Sequence, residues 1–341
     1  MTAGGVALWV AALGTPLLIR WLARNRIGQQ IREDGPRMHL AKAGTPTMGG
    51  LAMLVALFAG YTVAHVTRVV FTGSGILVVL ATFAFGGIGL ADDWIKVRHR
   101  RSLGLNKRAK LGAQILVAIG FALGAEHWAG VHTTLAFTRF DSPGIQLGSI
   151  GWIAWAVFVM VGTSNAVNLT DGLDGLASGS ATFCLATLAV IGYWQFRHFS
   201  IYHLAGFTAL DLALVAVALA GACLGFLWWN AAPARIFMGD TGSLAVGAGL
   251  GGLCLLMSIP LLLAVIGGLF VLETLSVLLQ VISYRVFKRR IFRMAPLHHH
   301  FELVGWPEVT VIVRFWILAG LFAALGLGIF YADFLTVSGL R

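Results

Sequence analysis

Long apolar runs, each close to the length of a bilayer crossing and each closed by polar or charged residues, recur along the chain. A hydrocarbon layer of roughly 30 Å needs about 20 helical residues at 1.5 Å each. On that measure the pattern predicts ten helices, near 3–23, 48–66, 73–91, 111–130, 150–169, 176–195, 207–228, 243–259, 261–284 and 310–332. The stretch from Ser243 to Tyr284 carries one charge, Glu273, and is too long for a single crossing. A turn is therefore expected at Ser258, Ile259 and Pro260. Between the fourth and fifth helices the period changes. Thr133 to Phe140 alternates polar and apolar residues before Asp141-Ser-Pro-Gly144, which predicts a small hairpin near 131–149. The expected fold is an all-α polytopic integral membrane protein, with 1–341 forming one transmembrane domain.

Composition agrees with this pattern. Hydrophobic residues make up 58% and charged residues only 11%, whereas soluble domains carry about a quarter of their residues as charges. A soluble globular domain is excluded, and so is intrinsic disorder. The 43 glycines show no three-residue period, so they point to close helix contacts in lipid and not to collagen. The first apolar run, Met1 to Arg20, has no basic segment before it and reads as a retained helix that inserts uncleaved. Cys184, Cys223 and Cys254 lie inside apolar runs without metal-ligand spacing and read as inert.

Charge sets the orientation. The 24 Lys and Arg exceed the 14 Asp and Glu, for a net +10, which in a soluble protein would raise nucleic acid as a partner. Here membrane orientation accounts for it, and no nucleic acid is expected. With loops assigned alternately, only Arg68, Arg139, Arg197 and Arg341 fall on one side. The other side collects Arg20, Arg24, Arg26, Arg32, Arg37 and Lys42, then Lys96, Arg98, Arg100, Arg101, Lys107, Arg108 and Lys110. Arg235, Arg285, Lys288, Arg289, Arg290, Arg293 and Arg314 complete it. The positive-inside rule makes the second side cytoplasmic. Both termini then face outward, and loops near 24–47, 92–110, 169–175, 229–242 and 285–309 face the cytoplasm.

The residues capable of chemistry crowd the same face. Asp92 and Asp93 end the third helix, and Lys96 follows one helical turn after Asp92. Asn165, Asn168, Asp171 and Asp174 repeat every third residue, a spacing that stacks them on one side unless Gly172 and Gly175 break the helix. Asn230 and Asp240 bracket the next loop, and His298, His299, His300 and Glu302 sit in the last one. A single helix-end Asp reads more readily as a cap. Five carboxylates in three loops would repel one another if those loops converge, and they need a cation or fixed ammonium groups as counter-charge. Magnesium suits oxygen ligands shared with substrate phosphates. Zinc does not fit: adjacent histidines rarely aim at one ion, and no thiolate is near. Lys42 and Gly44-Thr-Pro-Thr-Met-Gly-Gly50 offer donors to an anion, including Thr45 and Thr47. Gly247, Gly249 and Gly252 match a dinucleotide-binding spacing inside an apolar span with no preceding strand, so helix packing explains them, as it does Gly221 and Gly225. Glu273 reads as a buried, hydrogen-bonded or protonated group and not as a proton relay.

These segments, KAGTPTMGG from Lys42, ADDWIK from Ala91, NAVNLTDGLDGLA from Asn165, NAAPARIFMGDTGS from Asn230 and PLHHHFE from Pro296, resemble the polyprenyl-phosphate N-acetylhexosamine-1-phosphate transferases. The likeness spans nearly the whole chain, and the triple histidine resembles the peptidoglycan branch. The resemblance implies a multi-pass enzyme of the bacterial inner membrane, a magnesium-binding cytoplasmic cleft and a homodimer. It implies transfer of phospho-N-acetylmuramoyl-pentapeptide from UDP-N-acetylmuramoyl-pentapeptide to undecaprenyl phosphate, a membrane lipid, giving lipid I and UMP. By the same likeness Asp240 is the magnesium ligand, Asp92 the residue proposed to deprotonate the lipid phosphate, and Asp93 and His298 members of the catalytic set. Lys42, Thr47, Lys96, Asn165, Asn168, Asp171, Asp174, Asn230, His299 and His300 would line the nucleotide-sugar cleft, with Phe237 near the uracil. Lys110 would join them, with Lys107 as the alternative. Two other functions remain open at this stage: a transferase using UDP-N-acetylglucosamine, and a secondary transporter of an anionic solute, although transporters place their sites near the midplane.

Overall fold

The computed structural model describes residues 2–25, 27–28, 42, 44–67, 70–99 and 103–339. Of the charge count, Arg26, Arg32, Arg37, Arg68, Arg100, Arg101 and Arg341 lie outside the described residues. In lipid the backbone has to satisfy its own polar groups within each segment, so the apolar runs become helices. They are α1 (Thr2–Arg24), α2 (Gly50–Val66), α3 (Gly73–Arg98), α4 (Lys107–His127), α5 (Gly148–Thr170), α6 (Leu176–Arg197), α7 (Phe199–Tyr202) and α8 (Thr208–Asn230). There follow α9 (Gly239–Leu256), α10 (Leu263–Ile266), α11 (Gly268–Phe287), α12 (Leu297–Val304) and α13 (Glu308–Ser338). Among the described residues, nine of these are long and apolar enough to cross a membrane.

The 17-residue α2 is shorter than that measure, yet it runs the same depth as its neighbours. At its start Gly50 N donates to Met238 O (3.0 Å) beside α9, and near its end His65 meets Asp211 of the first turn of α8 at 3.0 Å. The predicted hairpin is present as β1 (Thr134–Arg139) and β2 (Ser142–Gln146), antiparallel, with Thr134 opposite Gln146.

The core is built around α9, whose residues from Thr241 to Leu256 are all buried. Its glycines permit that crowding. A Cβ at Gly247 would collide with the Ser164 backbone of α5, and one at Gly249 with Leu219 of α8, so the dinucleotide-like spacing is a packing feature. The turn expected after α9 is there: Ser258 adopts φ 56° and Pro260 follows. A second break at Gly267 separates α10 from α11, so 261–284 is not one helix.

Two helix ends shape the site, the first extended relative to the sequence pattern and the second close to its expected position. α3 runs on to Arg98 instead of stopping near 91, because Asp92 and Lys96 pair at 2.6 Å across one turn and support helix beyond the apolar run. α5 stops at Thr170, and Asp171 leaves helical geometry at φ −76°, ψ 50°. The three-residue repeat is thereby divided, with Asn165 and Asn168 on the helix and Asp171 and Asp174 on the turn before Gly175 (φ 77°).

Candidate active site

The last two turns of α3 cross the first turn of α9. Gly89 allows the approach, since a Cβ there would press into the Asp240 backbone. The crossing gathers Asp92, Asp93 and Asp240, each offering an oxygen within 4.8 Å of the others, the one such group of potential metal ligands among the described residues.

Each carboxylate has distinct partners. Asp93 accepts from Thr241 N (3.0 Å), Thr241 Oγ1 (2.8 Å) and Asp240 N (3.2 Å). It therefore caps α9 from a neighbouring helix and favours the positive end of its dipole. Asp92 accepts from Leu105 N at 2.8 Å, and Gly104 lies so close that a Cβ would strike the carboxylate. Asp240 accepts from Asn168 Nδ2 at 2.8 Å, and Asn168 also donates to Ser243 Oγ at 2.8 Å. Lys96 Nζ stands among all three, 2.6 Å from Asp92, 3.5 Å from Asp93 and 2.9 Å from Asp240. Lys110 Nζ reaches the same Asp240 oxygen at 2.6 Å. Lys107 is exposed, so of the two lysines it is Lys110 that reaches the carboxylate cluster.

A second cluster adjoins the first. Lys42 Nζ bridges Asp174 (2.7 Å) and Glu308 (2.6 Å), and Asp174 also accepts from Ala234 N at 2.9 Å. Sequence reasoning overlooked Glu308. Its one sequence signal is a carboxylate following Pro307 at the start of the last helix, where capping is the ordinary explanation. Asp171 lies within electrostatic reach of both clusters. Burial, then the Asp240, Asp93 and Asp174 carboxylates, push its carboxyl up to about 8.

The histidines diverge. His298 is fully buried, with Nδ1 3.2 Å from Glu273 Oε1. Its Nε2 faces Gly172, which has no room for a Cβ. Gly172 is thus a seat for the imidazole as well as a helix breaker. Glu273 is buried and accepts from Leu297 N at 2.8 Å, so its partner comes from the last loop and not from another span. His299 Nδ1 lies 2.7 Å from Glu302, and His300 Nδ1 accepts from Arg293 N at 3.1 Å. Three adjacent rings with three different partners leave no shared zinc position.

Several predicted residues face inward. Asn230 donates to Ile236 O (2.9 Å) and accepts from Ser178 Oγ (3.0 Å), holding the loop before α9. Asn165 donates to Gln114 Oε1 at 2.9 Å and Val161 O at 2.8 Å. Phe237 is half-buried, and its backbone zips the 46–49 segment to the start of α9: Phe237 N donates to Pro46 O (2.8 Å) and Gly49 N to Phe237 O (2.9 Å). That pairing brings buried Thr47 beside Gly239, with Asp93 on the same side.

Comparison with known proteins gives the site its context. Residues 75–258 match the family model for glycosyl transferase family 4, and residues 42–54 match signature 1 of phospho-N-acetylmuramoyl-pentapeptide-transferase. The chain is 51% identical to the phospho-N-acetylmuramoyl-pentapeptide-transferase of Saccharopolyspora erythraea, over 99% of this chain and 98% of that protein. It is 50% identical to the Frankia casuarinae protein of that name over 99% of each, and 49% identical to the Streptomyces avermitilis one over 96% of each. The two motif segments matched include Lys42, Thr47, both α3 aspartates, Lys96, Lys110 and Asp240. With about half of its residues identical to these relatives along nearly its whole length, the chain belongs to the phospho-N-acetylmuramoyl-pentapeptide-transferase family.

Proposed function

We propose that the protein transfers phospho-N-acetylmuramoyl-pentapeptide from its UDP derivative to undecaprenyl phosphate, yielding lipid I and UMP. The observation that carries this reading is the convergence of Asp92, Asp240, Lys96 and Lys110 at one end of α3. An oxygen of the carrier phosphate attacks the sugar-linked phosphorus, and the bond from that phosphorus to the UMP oxygen breaks. Both reactants are anionic, so the barrier lies in charge repulsion and alignment more than in basicity. Lys96 and Lys110 neutralise the diphosphate, Asn168 orients Asp240, and Asp93 holds α9 in place. A lipid phosphate is mostly ionised near pH 7, so Asp92 positions the nucleophile in a single displacement.

The donor set also suits magnesium. Asp240 and Asp92 supply the hard oxygen ligands it takes, and Lys96 now occupies the counter-charge position among them. When bound, magnesium would add positive charge to the diphosphate.

Ten crossings with both termini outside, in the bacterial inner membrane and with the site facing the cytoplasm, follow from two supports. These are the full-depth course of α2 and the excess of Lys and Arg at the site end. A homodimer rests on the family alone. Neither N-acetylglucosamine transfer nor secondary transport gains support from any observation here.

The test is UMP release by detergent-purified protein given each UDP-sugar, with and without undecaprenyl phosphate and magnesium. Release only with the muramoyl-pentapeptide donor, the carrier and the metal is expected. Equal release with UDP-N-acetylglucosamine overturns the donor assignment, and a trapped phospho-aspartyl species overturns single displacement.

A further inference from the structure

Beside α1, a cavity of about 570 Å³ is lined by Pro16, Ile19, Arg20, Pro46, Trp229 and Arg235, among others. Arg20 and Arg235 are both exposed. The Arg235 guanidinium lies over the Trp229 ring, 5.5 Å from its centroid, and Trp229 is itself fixed by donating to Ala12 O at 2.7 Å. Lys42, Lys96 and Lys110 are each neutralised by an aspartate. Among the described residues, by contrast, no carboxylate pairs with Arg20 or Arg235.

The cavity continues an apolar track. Trp9, Leu13, Pro16, Leu17 and Arg20 recur at three- and four-residue spacing, so they share one face of α1. Trp9, Leu13 and Leu17 are 63%, 67% and 62% exposed. About 16 Å of helix separates Trp9 from Arg20, the scale of an acyl chain. Trp21 and Trp228, also exposed, stand at the level of the two arginines, where aromatic residues mark the boundary of a bilayer.

We infer that this cavity seats the phosphate head of an anionic phospholipid, with an acyl chain laid along Trp9, Leu13 and Leu17. Charge complementarity selects the occupant: two guanidiniums with no carboxylate partner among the described residues call for phosphate, and the adjoining face of a membrane-crossing helix calls for hydrocarbon. The inference does not depend on the transferase reading, because binding is measured directly.

The experiment is native mass spectrometry of the full chain in detergent, titrated with phosphatidylglycerol, phosphatidylcholine or inorganic phosphate. The parent is expected to retain phosphatidylglycerol over phosphatidylcholine. The Arg20→Gln/Arg235→Gln double variant should lose about thirtyfold in phosphatidylglycerol affinity, while Arg20→Lys/Arg235→Lys keeps most of it. Unchanged melting and UMP release show that the Gln variant is folded. Equal retention of the two lipids by the parent, or undiminished selectivity in the Gln variant, overturns the inference. Displacement of lipid by inorganic phosphate overturns it in favour of a soluble anion, and loss of oligomers without loss of lipid selectivity overturns it in favour of a self-interface.

Discussion

Lys96 carries more of the site than its position in the sequence suggests. One ammonium balances three carboxylates, and Lys110 adds a second positive charge on Asp240. Removing Lys110 should therefore behave like removing a preorganised electrostatic donor. Lys110→Ala is expected to lower the rate of UMP release by roughly 10²–10³-fold, whereas Lys107→Ala, at an exposed position, should leave it unchanged. Steady-state assays on the two variants check this, and equal losses would return Lys107 to the site. Asp171 gives a pH signature. Its carboxyl titrates near 8 in the folded chain against 3.8 ordinarily, so folding favours the protonated form. That contribution is fully present below about 3.8 and is lost as pH rises through about 8. Metal-free parent protein should melt at progressively lower temperature between pH 5 and 8, and Asp171→Asn should flatten that slope. A parallel slope in the variant would refute the assignment.

At the scale of elements, the site depends on how α9 is held. Asp93 directs its oxygens at the first amides of α9, so its loss acts first on structure. Asp93→Ala is expected to destabilise by about 2 kcal/mol, the upper range for a lost cap, while Asp93→Asn keeps an acceptor and most of the stability. Thermal unfolding in detergent distinguishes the two. The α3–α9 crossing is as demanding: Gly89→Leu forces a side chain into the Asp240 backbone and should cost about 1–3 kcal/mol together with activity. Glu273 joins the buried part of α11 to the start of α12 through Leu297 N and His298. Glu273→Ala should loosen the histidine segment and raise the KM for the nucleotide-sugar more than it lowers kcat.

Over the whole molecule, polarity is divided between two ends. The charged clusters lie where α3, α8 and α13 meet the loops before α6, α9 and α12. The opposite end is closed by a small network in which Asp211 accepts from Tyr61 Oη (3.2 Å) and Thr72 N (2.7 Å). An enzyme acting on a lipid carrier and a water-soluble nucleotide needs this one-sided layout, since its site must reach both phases. The orientation can be read chemically because Cys184, Cys223 and Cys254 are all buried and should stay silent to a membrane-impermeant maleimide. Ser338→Cys should label in intact cells and Lys288→Cys only after permeabilisation. The reverse pattern would invert the topology.

The sequence by itself determined the membrane class, the approximate course of most long helices, the hairpin and the break near Pro260. Each depends on local period and on the backbone's need to bond internally in lipid, which neighbouring residues already express. It also named most of the charged cluster, because carboxylates near membrane depth are costly enough to stand out. Tertiary structure alone decided which of those groups meet. That Asp93 caps a helix 147 residues away, that Lys110 and not Lys107 reaches Asp240, that Glu308 shares Lys42 with Asp174, and that Glu273 backs His298 all depend on helix crossings. Those crossings are set by where small residues let backbones touch, a three-dimensional condition that spacing along one chain does not encode.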